Sequence, residues 1–282
     1  MLSIIISSYQ EQFYTALEKN IAETIGIPNE IIKVDNPNLM GICEAYNKGA
    51  SLSKYDYLLF VHEDVIFHTK EWGQLLINHL KKENTGVLGV AGSNYVPKAP
   101  HGWFIFDEKY NFKNYIQNNK EKTNPETKLM KHSFVRVFGL DGVFLGVKKS
   151  VYQEFLFDES VIKGFHGYDL DFSLRVATRY HNYVINDVLV EHFSLGNPNR
   201  QWFDNNILIR EKIKHRYQEN FDEKVESILF HDFLRGYFSY YKPNLKNIFF
   251  TLKFFPHQLS WRNKLLIFKG YMYYFFKHKY CK

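Results

Sequence analysis

Only two cysteines, Cys43 and Cys281, occur in 282 residues, and they stand near opposite ends of the chain. This excludes a disulfide-stapled scaffold and a CxxC metal site, and it fits a reducing compartment. No uncharged apolar run approaches the roughly 20 residues that a membrane-spanning helix needs. The opening MLSIIISSYQ has no basic leader region, and its apolar run is too short for a secretory signal, so a cytoplasmic protein is expected. No GxGxxG follows the first apolar run, and no P-loop signature occurs; GVLGVAG has the wrong spacing and runs along a strand. Acids are missing altogether from 233–282, where ten Lys and Arg stand. Residues 1–232 hold the other 26 cations against 30 anions. The body is therefore mildly acidic, and the pI of about 9.0 belongs to the tail.

What is present is enough apolar sequence, 45%, for a sizeable core. LSIIIS is an Ile-rich run suited to a buried parallel strand. Phe13, Leu17, Ile21 and Ile25 then recur every fourth residue, which predicts an amphipathic helix ending near Gly26 and Pro28. EIIKVDN, YDYLLFVHED and VLGVAGSN read as further strands, with ICEAYNKGASL and WGQLLINHLKK as the helices between them. That order predicts an α/β fold, a mostly parallel central sheet flanked by helices. The spacing places one domain over 1–200 and a helical, aromatic and basic extension over 201–282. Residues 101–132 are polar and irregular, a length of loop that more often works than merely connects. FVRVFGLDGVFLGVKKS predicts a strand pair or a kinked strand, HGYDLDFSLRVATRYH a helix, and NYVINDVLVEHFS closing strands.

In open α/β sheets ligands bind beyond the carboxyl ends of the strands. Four predicted strands carry polar residues there: Ser7-Ser8-Tyr9, Asp35-Asn36, His62-Glu63-Asp64 and Ser93-Asn94. His62, Glu63 and Asp64 sit inside the greasy LLFVHEDVIF, where unpaired burial would cost several kcal/mol. They are expected at the strand's exit, facing a cleft. On an extended strand His62 and Asp64 share a face, and imidazole with carboxylate can hold Mn2+ or Mg2+. The plainer alternative is a strand end with its charges in water. In GFHGYDLDFSLR, Asp171 and Arg175 are one helical turn apart and pair, which leaves Asp169 at the helix start. There the helix dipole is expected to keep it ionised, as a general base at a cleft mouth or simply as a helix N-terminal acid. His192, in LVEHFSLG, reads as a hydrogen-bonded strand-end histidine or a ligand. The glycines of GLDGVFLG allow a close backbone approach or mark a bulge.

Taken in order, these stretches resemble the family-2, inverting glycosyltransferases of GT-A fold, in the bacterial branch whose Asp-x-Asp is written His-Glu-Asp. The likeness rests on ISSY, VDN, ICEAYNKGA, YLLFVHEDV, GVAG, LDGVFLGVKKSV, FDESVIKGFHGYDLDFSLRV and VLVEHFS, and it covers roughly 1–196. It implies transfer of a sugar from a nucleoside-diphosphate sugar, a UDP-sugar first among them, to a glycan or lipid-linked acceptor. By position, Tyr9 and Asp35 would meet the nucleobase and ribose, and Asn47 would be the donor-side Asn. Ser8, His62 and Glu63 belong to the same donor set. Asp64 would coordinate a divalent cation, with His192 at that cation or the diphosphate. Asp141 and Gly142 would lie beside the donor sugar and acceptor, and Asp169 would deprotonate the acceptor hydroxyl. Trp103 is a candidate acceptor platform. His62 replaces the more usual first Asp, which points to Mn2+ over Mg2+. Tyr46 stands where many relatives have Arg.

A non-catalytic nucleotide-sugar or glycan-binding relative is the competing reading, and metal-dependent phosphoester hydrolysis ranks behind it. The tail invites two readings. IFFTLKFF and LLIFKGYMYYFF between cations suit an anionic membrane surface better than the stacked bases of a nucleic acid. Alternatively, the tail packs its aromatics on the catalytic domain or on a second copy in a homodimer.

Overall fold

The computed structural model describes residues 1–118, 126–127, 134–194, 196–218 and 220–277. Strands β1 (Leu2–Ser8), β2 (Asn29–Asp35) and β3 (Tyr57–Val61) alternate with helices α1 (Glu11–Thr24) and α2 (Ile42–Ser51). A short β4 (Val65–Phe67) follows, then α3 (Trp72–Leu80), β5 (Thr85–Gly89) and β6 (Ala91–Ser93). Next in the chain come β7 (Asn111–Lys113), β8 (Tyr115–Gln117), β9 (Glu126–Thr127), β10 (Phe134–Val137) and β11 (Gly139–Leu140). β12 (Phe144–Lys148) runs into α4 (Lys149–Phe155), and α5 (Tyr168–Val176) precedes β13 (His181–Ile185) and β14 (Val190–His192). Four helices follow: α6 (Arg200–Lys212), α7 (Glu223–Tyr240), α8 (Leu245–Leu252) and α9 (Trp261–Lys277).

The central sheet has the order β10-β13-β5-β12-β3-β1-β2. Five of the seven strands point the same way; β12 inserts antiparallel between β3 and β5, and β10 pairs antiparallel with β13 at the edge. Both faces are covered, because successive strand side chains point to opposite sides. Ile4, Ile6, Leu59 and Val61 pack with Leu17, Ile21, Trp72 and Leu76 of α1 and α3. Ile5, Phe60, Leu145 and Val147 pack with Ile42, Tyr46 and Phe172 of α2 and α5. Glycine permits one close approach here: a Cβ at Gly49 would lie 2.4 Å from Ile5 Cγ2, so α2 seats directly on β1.

The run expected as one fourth strand divides at Val90 into β5 in the central sheet and β6 in a small sheet with β11 and β7. A second small sheet, β4-β14-β8-β9, joins three distant parts of the sequence. The 101–132 stretch is thus less irregular than expected, since its β7 and β8 complete these sheets; 119–125 and 128–132 lie outside the described residues. A third core gathers Phe203, Phe230, Phe233, Phe238, Phe254 and Ile267 from α6 to α9. Helix α6 serves both layers, sending Ile209 to the sheet core and Phe203 to the helical one. No described helix is long and apolar enough to cross a membrane.

Candidate active site

β3 ends at Val61, so His62, Glu63 and Asp64 occupy the break before β4. The backbone fixes this break: His62 N–H donates to Val143 O (3.2 Å), and Phe193 N–H donates to Asp64 O (3.1 Å). β14 pairs antiparallel with β4 in the register His192 opposite Val65, which sets His192 beside Asp64. One donor atom each from His62, Asp64 and His192 then lie within 4.8 Å of one another. His192 Nε2 is 3.5 Å from Asp64 Oδ1 and 3.5 Å from His62 Nδ1. His62 Nδ1 is 3.9 Å from Asp64 Oδ1. Ligands about 2.1 Å from a common ion stand roughly 3 to 3.5 Å apart, so a modest inward shift of these three groups would satisfy a divalent cation.

The protonation states suit that use. Burial alone would raise the Asp64 carboxyl, but the hydrogen bond from His192 and the two imidazoles hold it well below the usual carboxylate range. Burial, and then the neighbouring His192, push the His62 imidazole below its usual range, toward the neutral form. Tyr168 fixes its tautomer. The Tyr168 hydroxyl donates to Gly142 O (3.1 Å) and so accepts from His62 Nε2–H (2.8 Å). His62 Nδ1 is left as a lone pair facing Asp64 and His192.

Glu63 has a part in the backbone as well. Its buried carboxylate accepts the backbone N–H groups of Tyr9 and Gln10 at 3.2–3.3 Å. Gln10, at the start of α1, has no side-chain cap of its own, and Glu63 supplies the missing acceptor. Its oxygens therefore hold the β1–α1 turn, and the residue also lines the smaller lobe of the cleft.

The cleft has two lobes that share His62, Phe165, Tyr168 and Ser194. The smaller, of about 180 Å3, lies among Ser7, Tyr9, Tyr46, Asp64 and Tyr168. The larger, of about 560 Å3, holds Trp103, Asp141, Gly142, Asp169, His192 and Trp202. The cation set stands at the waist between them. Glycine is required in one turn here: Gly167 (φ 82°) starts α5 in a left-handed conformation and aims Tyr168 and Asp169 at the cleft.

Asp169 opens to the larger lobe and is enclosed by protein elsewhere. Burial, reinforced by the nearby Asp141 carboxylate, raises it to about 7, against backbone hydrogen bonds that include Gly142 N–H to Oδ2 at 3.0 Å. The expectation that the helix dipole keeps it ionised is corrected here, because desolvation and a like charge outweigh a partial dipole. Asp171 is the structural acid, bound to Arg175 (2.7 Å) and Lys212 (2.9 Å).

Some expected residues line neither lobe of the cleft. Ser8 is buried and Ser7 lines the lobe instead, as strand alternation dictates. Asp35 is exposed, paired with Lys33 at 2.9 Å, and lines neither lobe. Asn47 donates to Phe157 O and Glu159 and accepts from Tyr152 Oη and Phe157 N, so its amide is fully engaged in joining α2 to the 157–159 turn. Ser93 and Asn94 line neither lobe. Tyr168, Trp202, Phe165 and Ser194 escaped sequence reasoning. Tyr168 adjoins a motif that was read, whereas Trp202 reaches the cleft only through the packing of α6.

The sequence profile of the glycosyltransferase-like family matches residues 3–225. No curated protein matches the chain. Among solved structures, S. aureus TarS 1–349 is 14% identical, with a TM-score of 0.54, over 94% of this chain and 82% of that one. Its complex with UDP-GlcNAc gives 13% and 0.53, over 94% and 83%. GalNAc-T7 with UDP, GalNAc and Mn2+ gives 10% and 0.52, over 75% of this chain and 47% of that one. At these identities the likeness speaks for the fold, and the profile match over most of the chain speaks for descent. The chain belongs to the glycosyltransferase-like family and has the GT-A fold.

Proposed function

We propose that this glycosyltransferase moves a sugar from a nucleoside-diphosphate donor, a UDP-sugar first among them, to a hydroxyl of a glycan or lipid-linked acceptor, inverting the anomeric centre. The observation that carries this reading is the convergence of His62, Asp64 and His192 between a lobe edged by Tyr9 and a lobe containing Asp169. The UDP-GlcNAc and UDP complexes of TarS, and GalNAc-T7 with UDP, GalNAc and Mn2+, support the donor class. The smaller lobe takes the nucleotide, with Ser7 and Tyr9 at its wall, and the larger takes the sugar and acceptor between Trp103 and Trp202.

A divalent cation held by Asp64, His192 and His62 would neutralise the charge that gathers on the departing diphosphate. Two imidazoles favour Mn2+ over Mg2+, which prefers oxygen ligands. Asp169, oriented by the Gly142 N–H, accepts the proton of the attacking hydroxyl. Attack on the face opposite the departing diphosphate inverts the configuration.

Nucleotide release from a panel of UDP-, GDP- and dTDP-sugars tests this. With Mn2+ and an acceptor, release from one donor class is expected, lost in EDTA and in Asp64→Ala, and at least ~100-fold slower in Asp169→Asn. Donor binding without release from any sugar would reduce the protein to a non-catalytic binding relative and sink the reading.

The same proposal extends to location, at the cytoplasmic face of an anionic membrane. Helices α8 and α9 bury Thr251, Ile267 and Tyr271 but leave Phe249, Trp261, Phe268 and Phe276 at least 60% exposed. Exposed aromatics beside ten cations and no acid match a lipid surface better than a protein partner.

A further inference from the structure

A second cavity, of about 320 Å3, shares no lining residue with either lobe of the cleft. It opens between the segment after β6, the end of α6 and the 255–258 connection from α8 to α9. Its rim carries Lys98, Lys214, His215, Arg216 and His257, and Arg210 forms part of its wall. Glu226 is the one acid among its described lining residues, and its carboxylate already accepts Tyr95 Oη–H (3.0 Å) and Lys98 N–H (3.0 Å).

Arg210 is the feature without an internal explanation. Its Nε and Nη1 are buried and have no hydrogen-bond partner. Burial pulls its guanidinium below the usual arginine range, opposed by Tyr217 and Glu226. Two buried guanidinium nitrogens without an acceptor are costly, and folds rarely keep them so unless something else supplies one. The guanidinium fork fits the paired oxygens of a phosphoryl group, and lysines at the mouth add point charges.

We propose that this cavity binds a phosphate or diphosphate group, gripped by Arg210 and steered in by Lys98 and Lys214. The site stands apart from the donor lobe. Behind Arg210 a narrow gap reaches Gly102, Trp103 and Leu170, which also line the larger lobe. A phosphoryl group held by Arg210 therefore abuts the wall of the region assigned to the acceptor. Its source is either a soluble phosphate ester or a lipid headgroup, and the chemistry of capture is the same.

The test uses the full chain in EDTA, with inorganic pyrophosphate as probe and sodium chloride of equal ionic strength as control. Pyrophosphate is expected to raise the Tm of the wild type by at least ~2 °C over the control. Arg210→Met is expected to show no increment with pyrophosphate, whatever its Tm without ligand. Lys98→Ala/Lys214→Ala, which leaves the interior intact, is expected to weaken pyrophosphate binding about tenfold, and Asp64→Ala to leave it unchanged. No increment in the wild type, an undiminished increment in Arg210→Met, or loss of the increment in Asp64→Ala would each overturn the proposal. A further arm separates the sources once the increment is seen. Reduced flotation of Arg210→Met with phosphatidic acid vesicles assigns the phosphate to a lipid, and unchanged flotation assigns it to a soluble ester; both support the site.

Discussion

Burial, with the Asp141 charge beside it, keeps the Asp169 carboxyl protonated up to about pH 7. Two pH effects of opposite benefit follow. A general base works ionised, so turnover should climb about tenfold from pH 5 to pH 6 and level off above pH 8. A pH–rate profile for kcat checks this, and a flat profile from pH 5 to 8 would remove Asp169 from the role. For stability the sign reverses. An acid whose pKa rises on folding costs nothing while both states are protonated, below about pH 4. The cost grows between pH 4 and 7 and is constant above. Asp169→Asn should thus be more stable than the wild type at pH 8, on the order of a few kcal/mol, and equal to it near pH 4, by urea denaturation. Tyr168 acts at the same scale. A Cβ at Gly142 would lie 2.0 Å from Tyr168 Oη, so Gly142→Ala must displace the hydroxyl that sets the His62 tautomer. Tyr168→Phe removes that hydroxyl without a clash. Both should bind Mn2+ about 10- to 100-fold more weakly, by calorimetry, with Tyr168→Phe keeping the wild-type circular dichroism.

At the scale of elements, the HED break joins three parts of the fold. Glu63 anchors the start of α1, His62 N–H ties to the turn before β12, and Asp64 O receives β14. Glu63→Ala leaves two backbone N–H groups without their acceptor, and is expected to cost about 2–3 kcal/mol in urea denaturation. Since Tyr9 lies on that turn, donor affinity should fall as well, whereas Mn2+ affinity should hold. An Mn2+ affinity that fell as far as the donor affinity would mean that Glu63 supports the cation set directly. Much of this level was legible in the sequence. Ile-rich runs and four-residue repeats fix the type and order of β1, α1, β2, α2 and β3, because burial demands them wherever the chain lies. The direction of β12 was not legible, because an apolar strand between two others reads the same run either way. Nor was the three-residue β4, too short for any period to register, although its pairing with β14 is what delivers His192.

For the whole molecule, the asymmetry of charge becomes an asymmetry of surface. The helical layer of α6 to α9 packs Phe230, Phe233 and Phe238 inward and turns the exposed side of α8 and α9, with its cations, outward. One face of the tail packs on protein, as one of its two readings expected, and the other face is exposed. The full chain should float with anionic vesicles at low salt and be released as salt screens the cations, and Trp261→Ala/Phe268→Ser should weaken flotation severalfold. A protein that stays in the pellet fraction at low salt, or that forms a dimer burying α9 by analytical ultracentrifugation, would refute the membrane assignment.

By itself the sequence determined the alternation of strands and helices, the polar exits of the strands and the separation of charge between body and tail. All of these are set by local periodicity or by composition. It also offered Asp64, Asp169 and His192 as candidates, through the order of the motifs and the resemblance they carry, since each alone reads as readily as a structural group. Only the tertiary structure decided what each group meets. Glu63 and Asn47 turned to backbone and turn, Tyr168 to His62, and Arg210 to a cavity without an acceptor, because hydrogen bonding and desolvation depend on neighbours far away along the chain.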